Sequence, residues 1–220
     1  MKVLVIAPHP DDEVLGVGGT IAKRAMAGCE VVVCICTKGV HAMFDPEVIK
    51  AGRHEAMDVH DYLGVKETLF LDLPAAELDR VPMTDIVKKI EDVISAERPD
   101  EIFIPHHGDI HNDHKTIATA TMVAARPKKF KKPVKILSYE VPSETGWDVP
   151  SQENAFIPNV YEDITTTIDK KLNSVVMYKS QAESWPGARS AGAVKALAEY
   201  RGTTICAPYA EAFQLVRETL

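Results

Sequence analysis

The sequence predicts an α/β protein: a doubly wound, Rossmann-like, mostly parallel sheet with helices on both faces and a C-terminal extension. Three observations carry this. Short apolar runs alternate at least four times with longer segments of helical periodicity, the pattern of consecutive βα units. The run 30–37 is apolar without alternation, as in a strand covered on both faces. With 220 residues, 45% hydrophobic and 26% charged, the chain has an ordinary globular composition and the length for a single domain over 1–220.

The elements follow in order. Val3-Leu4-Val5-Ile6-Ala7 is the first strand. Residues 14–27 carry apolar side chains at helical spacing, and Gly28 stops them because glycine accepts the left-handed conformation. After the strand 30–37 and a loop over 38–46, a helix spans 47–63 and ends at Gly64. Residues 68–71 form a short third strand. A helix over 82–96 has Pro82 near its start, and Ile86, Val87, Ile90, Val93 and Ile94 form its buried stripe. Pro99 breaks it before the fourth strand, 101–105. A helix over 115–125 and a fifth strand over 134–141 complete the repeating part. Residues 142–158, rich in Ser, Pro, Gly and Asn, read as a long surface loop, more often functional than idle at that length. The extension holds a strand at 160–164, helices at 168–180 and 188–200, and a weakly alternating strand at 211–216. There is no internal repeat and no low-complexity tract.

The formal net charge of −7 argues against a nucleic-acid partner, which needs a basic face. The one basic run, 126–135, falls between a helix and a strand and reads as a solvated loop. Cys29, Cys34, Cys36 and Cys206 show no metal-type pairing and read as reduced core or near-core thiols, with Cys34 and Cys36 on one strand face. No charged-then-apolar leader precedes the first strand and no apolar segment reaches a membrane span, so a cytoplasmic protein without membrane contact is expected.

Two polar clusters stand at strand ends. His9-Pro10-Asp11-Asp12-Glu13 follows the first strand, and His106-His107-Gly108-Asp109-Ile110-His111-Asn112-Asp113-His114 follows the fourth. In a sheet of order 3-2-1-4-5 those strands are neighbours, and the crevice beyond their carboxyl ends is the usual ligand site. His9 and Asp12 are three apart, as are His111 and His114, so each pair can direct two side chains inward. Three N/O ligands with a water make a catalytic zinc site, and no thiolate is near enough for a structural one. Adjacent carboxylates also repel, a cost that a bound cation relieves. Helix capping is the competing explanation for Asp11-Asp12 and for the turn 111–114.

The two motifs, His9-Pro10-Asp11-Asp12-Glu13 and His111-x-Asp113-His114, resemble the LmbE/PIG-L family of zinc-dependent de-N-acetylases, whose substrates are mostly N-acetylglucosaminyl compounds. Arg53-His54-Glu55-Ala56 with Leu63-Gly64-Val65 is similar to a further family signature. So are Tyr178-Lys179-Ser180-Gln181 and Tyr209-Ala210-Glu211-Ala212-Phe213. Asn112 departs from the family, which commonly has proline there. The resemblance implies that His9, Asp12 and His114 bind one zinc ion per chain, a place other divalent transition metals can take. It implies Asp11 as general base. His111, oriented by Asp113, would stabilise the oxyanion or protonate the leaving amine, and Arg53 would hold a substrate oxygen or anionic group. The implied partner is a small N-acetylated sugar, the products acetate and a free amine, and the assembly, by analogy with similar bacterial proteins, a homo-oligomeric trimer or hexamer.

Three other readings compete. An amidase of the same metal type would cut a larger amide. An iron oxygenase also uses two histidines and a carboxylate. A nucleotide-binding module is suggested by Gly16-Val17-Gly18-Gly19-Thr20, but the third glycine of the dinucleotide spacing is missing and the acidic cluster would repel a pyrophosphate; those glycines fit close helix–sheet packing better. Trp147 and Tyr139 have faces suited to a pyranose ring, and Trp147 reads equally as a core anchor. His41, His54, His60, His106 and His107 show no partner pattern of their own.

Overall fold

The computed structural model describes residues 1–40, 45–127 and 134–219. Strand and helix alternate as β1 (Lys2–Ala7), α1 (Asp12–Met26), β2 (Glu30–Lys38), α2 (Pro46–Leu63), β3 (Glu67–Pro74), α3 (Met83–Glu97), β4 (Glu101–Pro105), α4 (Asn112–Ala124) and β5 (Lys135–Tyr139). A single 3₁₀ turn, Leu78–Arg80, precedes α3. The extension adds β6 (Val160–Asp163), α5 (Ile168–Met177), α6 (Ala191–Thr203) and β7 (Ala210–Glu218). The sheet order is β3-β2-β1-β4-β5-β7-β6, with the first five strands parallel and β7 antiparallel to both neighbours. The extension thus completes the sheet.

Strand periodicity divides the core. Val3 and Val5 face α1, α2 and α5, while Leu4 and Ile6 face α3 and α4, and all four are buried. A fully buried Leu or Ile contributes about 1.5–3 kcal/mol, so a one-residue slip of β1 would forfeit both layers. Cys34 and Cys36 share the α3–α4 face, as expected; Cys206 is exposed and is no core thiol, because it sits in the turn between α6 and β7.

Local chemistry sets the helix ends. Asp45 caps α2 by accepting from Glu47 N at 2.8 Å, and Pro46 begins it. Gly64 ends it at φ 84, a conformation glycine adopts without penalty. The predicted start at 115 is wrong by three residues: α4 begins at Asn112, capped by His111, so Asp113 and His114 lie in its first turn. The last helix likewise starts at Ala191, where Ser190 accepts from Ala193 N at 3.1 Å. The glycines of α1 do serve close packing. A Cβ on Gly16 would lie 2.9 Å from Glu140 O and overlap the Tyr139 ring, and one on Gly19 would lie 2.7 Å from Ile164. Among the described residues, no helix is long and apolar enough to cross a membrane.

Candidate metal centre and active site

The strand order reverses direction of growth between β1 and β4, and both polar clusters stand at the carboxyl ends of these two strands. Pro8 and Pro10 restrict the exit from β1, and the chain then turns into α1 at Asp11, whose φ of 106 and ψ of −28 are left-handed. A non-glycine residue held there costs on the order of 1–3 kcal/mol, which surrounding contacts must supply. Asp11 occupies the cap position of α1 but its side chain makes no capping hydrogen bond. Its carboxylate is buried, and Oδ2 has no hydrogen-bond partner. Capping therefore does not account for Asp11.

Asp12 is the hub. Its Oδ2 accepts the His9 backbone N–H at 2.8 Å and lies 3.2 Å from both His9 Nδ1 and His114 Nε2. The other nitrogen of each ring meets a carboxylate: His9 Nε2 is 2.9 Å from Asp113 Oδ2, and His114 Nδ1 is 2.8 Å from Asp109 Oδ2. Asp109 is fully buried and also accepts the Thr145 hydroxyl at 2.6 Å. A carboxylate behind each imidazole is the outer-shell arrangement of metal-binding histidines, fixing tautomer and ring orientation. His114 Nε2 is buried with no aligned hydrogen-bond partner, and a cation would satisfy it. His9, Asp12 and His114 offer ligand atoms within 4.8 Å of one another. One carboxylate oxygen and two imidazole nitrogens suit a borderline divalent ion such as zinc.

Without a cation, the carboxylates hold protons on the rings. Burial disfavours a charged His9, but hydrogen bonds to Asp113 and Asp12 outweigh it and raise the imidazole to about 9. Burial acts likewise on His114, and Asp12 with Asp109 overrides it, to about 10. Asp12 is held well below the usual carboxylate range, burial being overcome by the same two rings. Asp11 moves the opposite way: burial, then the Asp12 charge, push it well up, against the pull of Arg189.

His111 caps α4, its Nδ1 accepting the Asp113 N–H at 3.1 Å. The expectation that Asp113 orients His111 is met only through that backbone N–H. The Asp113 carboxylate stands 4.0 Å from His111 Nδ1, because it is taken up by His9 and by the Ala76 N–H at 2.7 Å. Burial and the charge on His9 lower the His111 imidazole to about 4.

Four residues beside the site have no role in the sequence reading. Arg189, from the loop before α6, brings Nε to 3.3 Å from Asp11 Oδ2 and a terminal nitrogen to 3.3 Å from Glu144 Oε1. Asp109 lies inside the second cluster, and its position five residues before His114 was the available signal. Glu13 and His60 form a buried pair at 3.2 Å; no local pattern marks His60.

A cavity of about 280 Å³ opens beside the candidate metal cluster, lined by His9, Asp11, His111 and Arg189 together with Arg53, Phe70 and Ile49. Arg53 reaches it from α2, stacked 3.9 Å from the Phe70 ring centre and paired with Asp72 at 2.6 Å. The aromatic expectations need correction. Tyr139 is fully buried, donating its hydroxyl to Ile6 O at 2.9 Å, so it offers no face to a sugar. Trp147 is 69% exposed and anchors no core. His106 is a structural group, its Nε2 3.1 Å from Asn154 O; His54 and His107 are exposed, and His41 lies outside the described residues.

Comparison with known proteins adds the following. A family model described as PIG-L, GlcNAc-PI de-N-acetylase, matches residues 4–125. Diacetylchitobiose deacetylase of Thermococcus kodakarensis is 31% identical over 198 residues, 82% of this chain and 70% of that protein. Probable N-acetyl-alpha-D-glucosaminyl L-malate deacetylase 2 of Bacillus cereus is 28% identical over 193 residues, covering 83% of this chain and 84% of that one. Among solved structures, N,N'-diacetylchitobiose deacetylase from Pyrococcus horikoshii superposes with a TM-score of 0.79 at 25% identity, over 98% of this chain and 83% of that chain.

Proposed function

The chain belongs to the PIG-L (GlcNAc-PI de-N-acetylase) family, and from that premise we propose that it is a zinc-dependent hydrolase removing the N-acetyl group from a small N-acetylglucosaminyl compound. One observation supports the metal-assisted reading above the rest. His9 Nδ1 and His114 Nε2 converge on Asp12 Oδ2, each ring is backed by a carboxylate, and an uncapped, buried Asp11 carboxylate stands beside them. His9, Asp12 and His114 would hold the ion. When bound, such an ion acts as a Lewis acid toward an amide carbonyl and acidifies water.

The remaining work belongs to the protein's own groups. Asp11 takes a proton from the attacking water as its oxygen adds to the acetyl carbon. The same proton passes to the amine as the C–N bond breaks, leaving acetate and a free amino sugar. Burial and Asp12 raise the basicity of this carboxylate above that of an ordinary aspartate, which brings it closer to the operating pH of a general base. Arg189 faces the same oxygen and limits that rise. His111 has a fixed tautomer: Nδ1 accepts from the Asp113 backbone, so Nε2–H is the free donor. Its neutral imidazole suits hydrogen bonding to the developing oxyanion more than delivery of a proton. Arg53, pre-set by Phe70 and Asp72, faces the cavity and holds a substrate oxygen or anion.

The test is acetate release from a panel of N-acetylated sugars by protein stripped with chelator and reloaded with zinc. Ion-dependent release from an N-acetylglucosaminyl compound is expected. Equal release by the stripped protein, or none from any member of the panel, refutes the proposal.

A further inference from the structure

Glu13 is fully buried one residue beyond Asp12, yet it has no part in the chemistry above. Its Oε2 accepts the backbone N–H of Asp11 at 3.1 Å. Its Oε1 accepts the Tyr178 hydroxyl at 2.5 Å and lies 3.2 Å from His60 Nε2. A carboxylate only accepts, so the His60 ring donates to it from Nε2, and its Nδ1 lies 2.8 Å from the Thr68 hydroxyl. His60 of α2, backed by Thr68 of β3, and Tyr178 at the end of α5 therefore meet on one carboxylate, and that carboxylate grips the backbone of Asp11.

Asp11 needs such a grip. An aspartate at a helix cap ordinarily takes an extended conformation and turns its side chain onto the N–H groups of the first turn. Here φ is 106, the carboxylate caps nothing, and the first-turn N–H of Val14 bonds instead to the Asp11 carbonyl at 3.0 Å. Relaxation would remove backbone strain and gain a cap, but it would swing the carboxylate onto the helix end. Accepting the Asp11 N–H pins the peptide plane against which φ turns.

We propose that Glu13, clamped by Tyr178 and His60, is a positioning residue that holds Asp11 left-handed and so keeps its carboxylate uncapped and turned to the cavity. This rests on the reading of Asp11 as the base. Tyr178 and His60 act through Glu13 and touch no substrate.

The experiment is a double-mutant cycle between Tyr178→Phe, which removes one hydroxyl and keeps the buried ring, and Asp11→Asn, whose side chain also tolerates positive φ. Deacetylation kinetics and bound zinc are measured for all four proteins. Tyr178→Phe alone should lower kcat by about 10- to 100-fold, the range expected when a reacting group is misplaced by up to an ångström. KM should stay within about twofold, with zinc content unchanged. In the Asp11→Asn background the same change should cost nothing further, since the group being positioned is gone. An equal loss in both backgrounds assigns the hydroxyl to the general scaffold and overturns the proposal, as does an unchanged kcat. A fully active Asp11→Asn overturns the base assignment instead, and the two failures are thereby distinct. Glu13→Gln repeats the test at constant volume: one amide oxygen cannot serve the three donors that meet Glu13, so the same non-additive loss is expected.

Discussion

Replacing Asp109 with asparagine removes one charge from behind His114 and should weaken metal binding without touching a ligand. Asp109 Oδ2 receives the His114 Nδ1 proton at 2.8 Å, and Oδ1 receives the Thr145 hydroxyl at 2.6 Å, with no solvent access. An asparagine fits the same space. With its amide oxygen toward His114 the tautomer survives, but the amide nitrogen then faces Thr145, whose hydroxyl loses its acceptor and must turn its proton away. With the amide flipped, Nδ2 faces the ring and forces its proton to Nε2, the nitrogen needed for the metal. Either orientation makes Nε2 a poorer ligand. Loss of such an outer-shell carboxylate typically costs about 10- to 100-fold in affinity, or about 1.4–2.8 kcal/mol. The assay is competition with a chromophoric chelator at fixed pH, alongside kcat at saturating zinc. An Asp109→Asn protein that binds zinc as tightly as wild type would refute the assignment of His114 Nε2 as a ligand held by Asp109.

Zinc affinity should also rise with pH, because His9 and His114 hold protons up to about 9 and 10 in the metal-free protein and must shed them to ligate. Between pH 6 and 8 the logarithm of the affinity should climb by up to about two per pH unit, read by the same chelator competition; a flat profile contradicts the proposed ligands. Elsewhere, Lys171→Met should destabilise the fold by about 3–5 kcal/mol in urea unfolding, because Lys171 Nζ is buried at 2.5 Å from Glu211 Oε1 and the change leaves a buried carboxylate without its cation. Glu211 also accepts the N–H groups of Gly19 and Thr20 of α1 at 2.8 Å each; a wild-type midpoint would show that the buried pair does not stabilise the junction of α1, α5 and β7.

The parallel half of the sheet was legible because its strands are buried on both faces and read as unbroken apolar runs, as in 30–37. Its strand order sets β1 beside β4 and so brings the two clusters together. The start of α4 was not legible. Asn112 and Asp113 are weak helix formers, and only the His111 cap and the tertiary bonds of Asp113 draw them into the helix. The insertion of β7 between β5 and β6 was equally hidden, since a weakly alternating terminal run does not state its partner. Tyr139 was misjudged because an aromatic residue beside a loop looks available, whereas close approach of α1 through Gly16 covers it. Arg189 could not be seen at all: nothing near it in the chain points toward Asp11, and the loop before α6 delivers it.

The division of labour within His9-Pro10-Asp11-Asp12 is the central claim: His9 and Asp12 hold the ion with His114, and Asp11 moves the proton. Zinc content and deacetylase turnover of Asp11→Asn, measured on one preparation, test it most directly. One ion per chain with turnover reduced by about two to four orders of magnitude is the predicted result. Loss of the ion along with activity, or full activity with the ion in place, would contradict it.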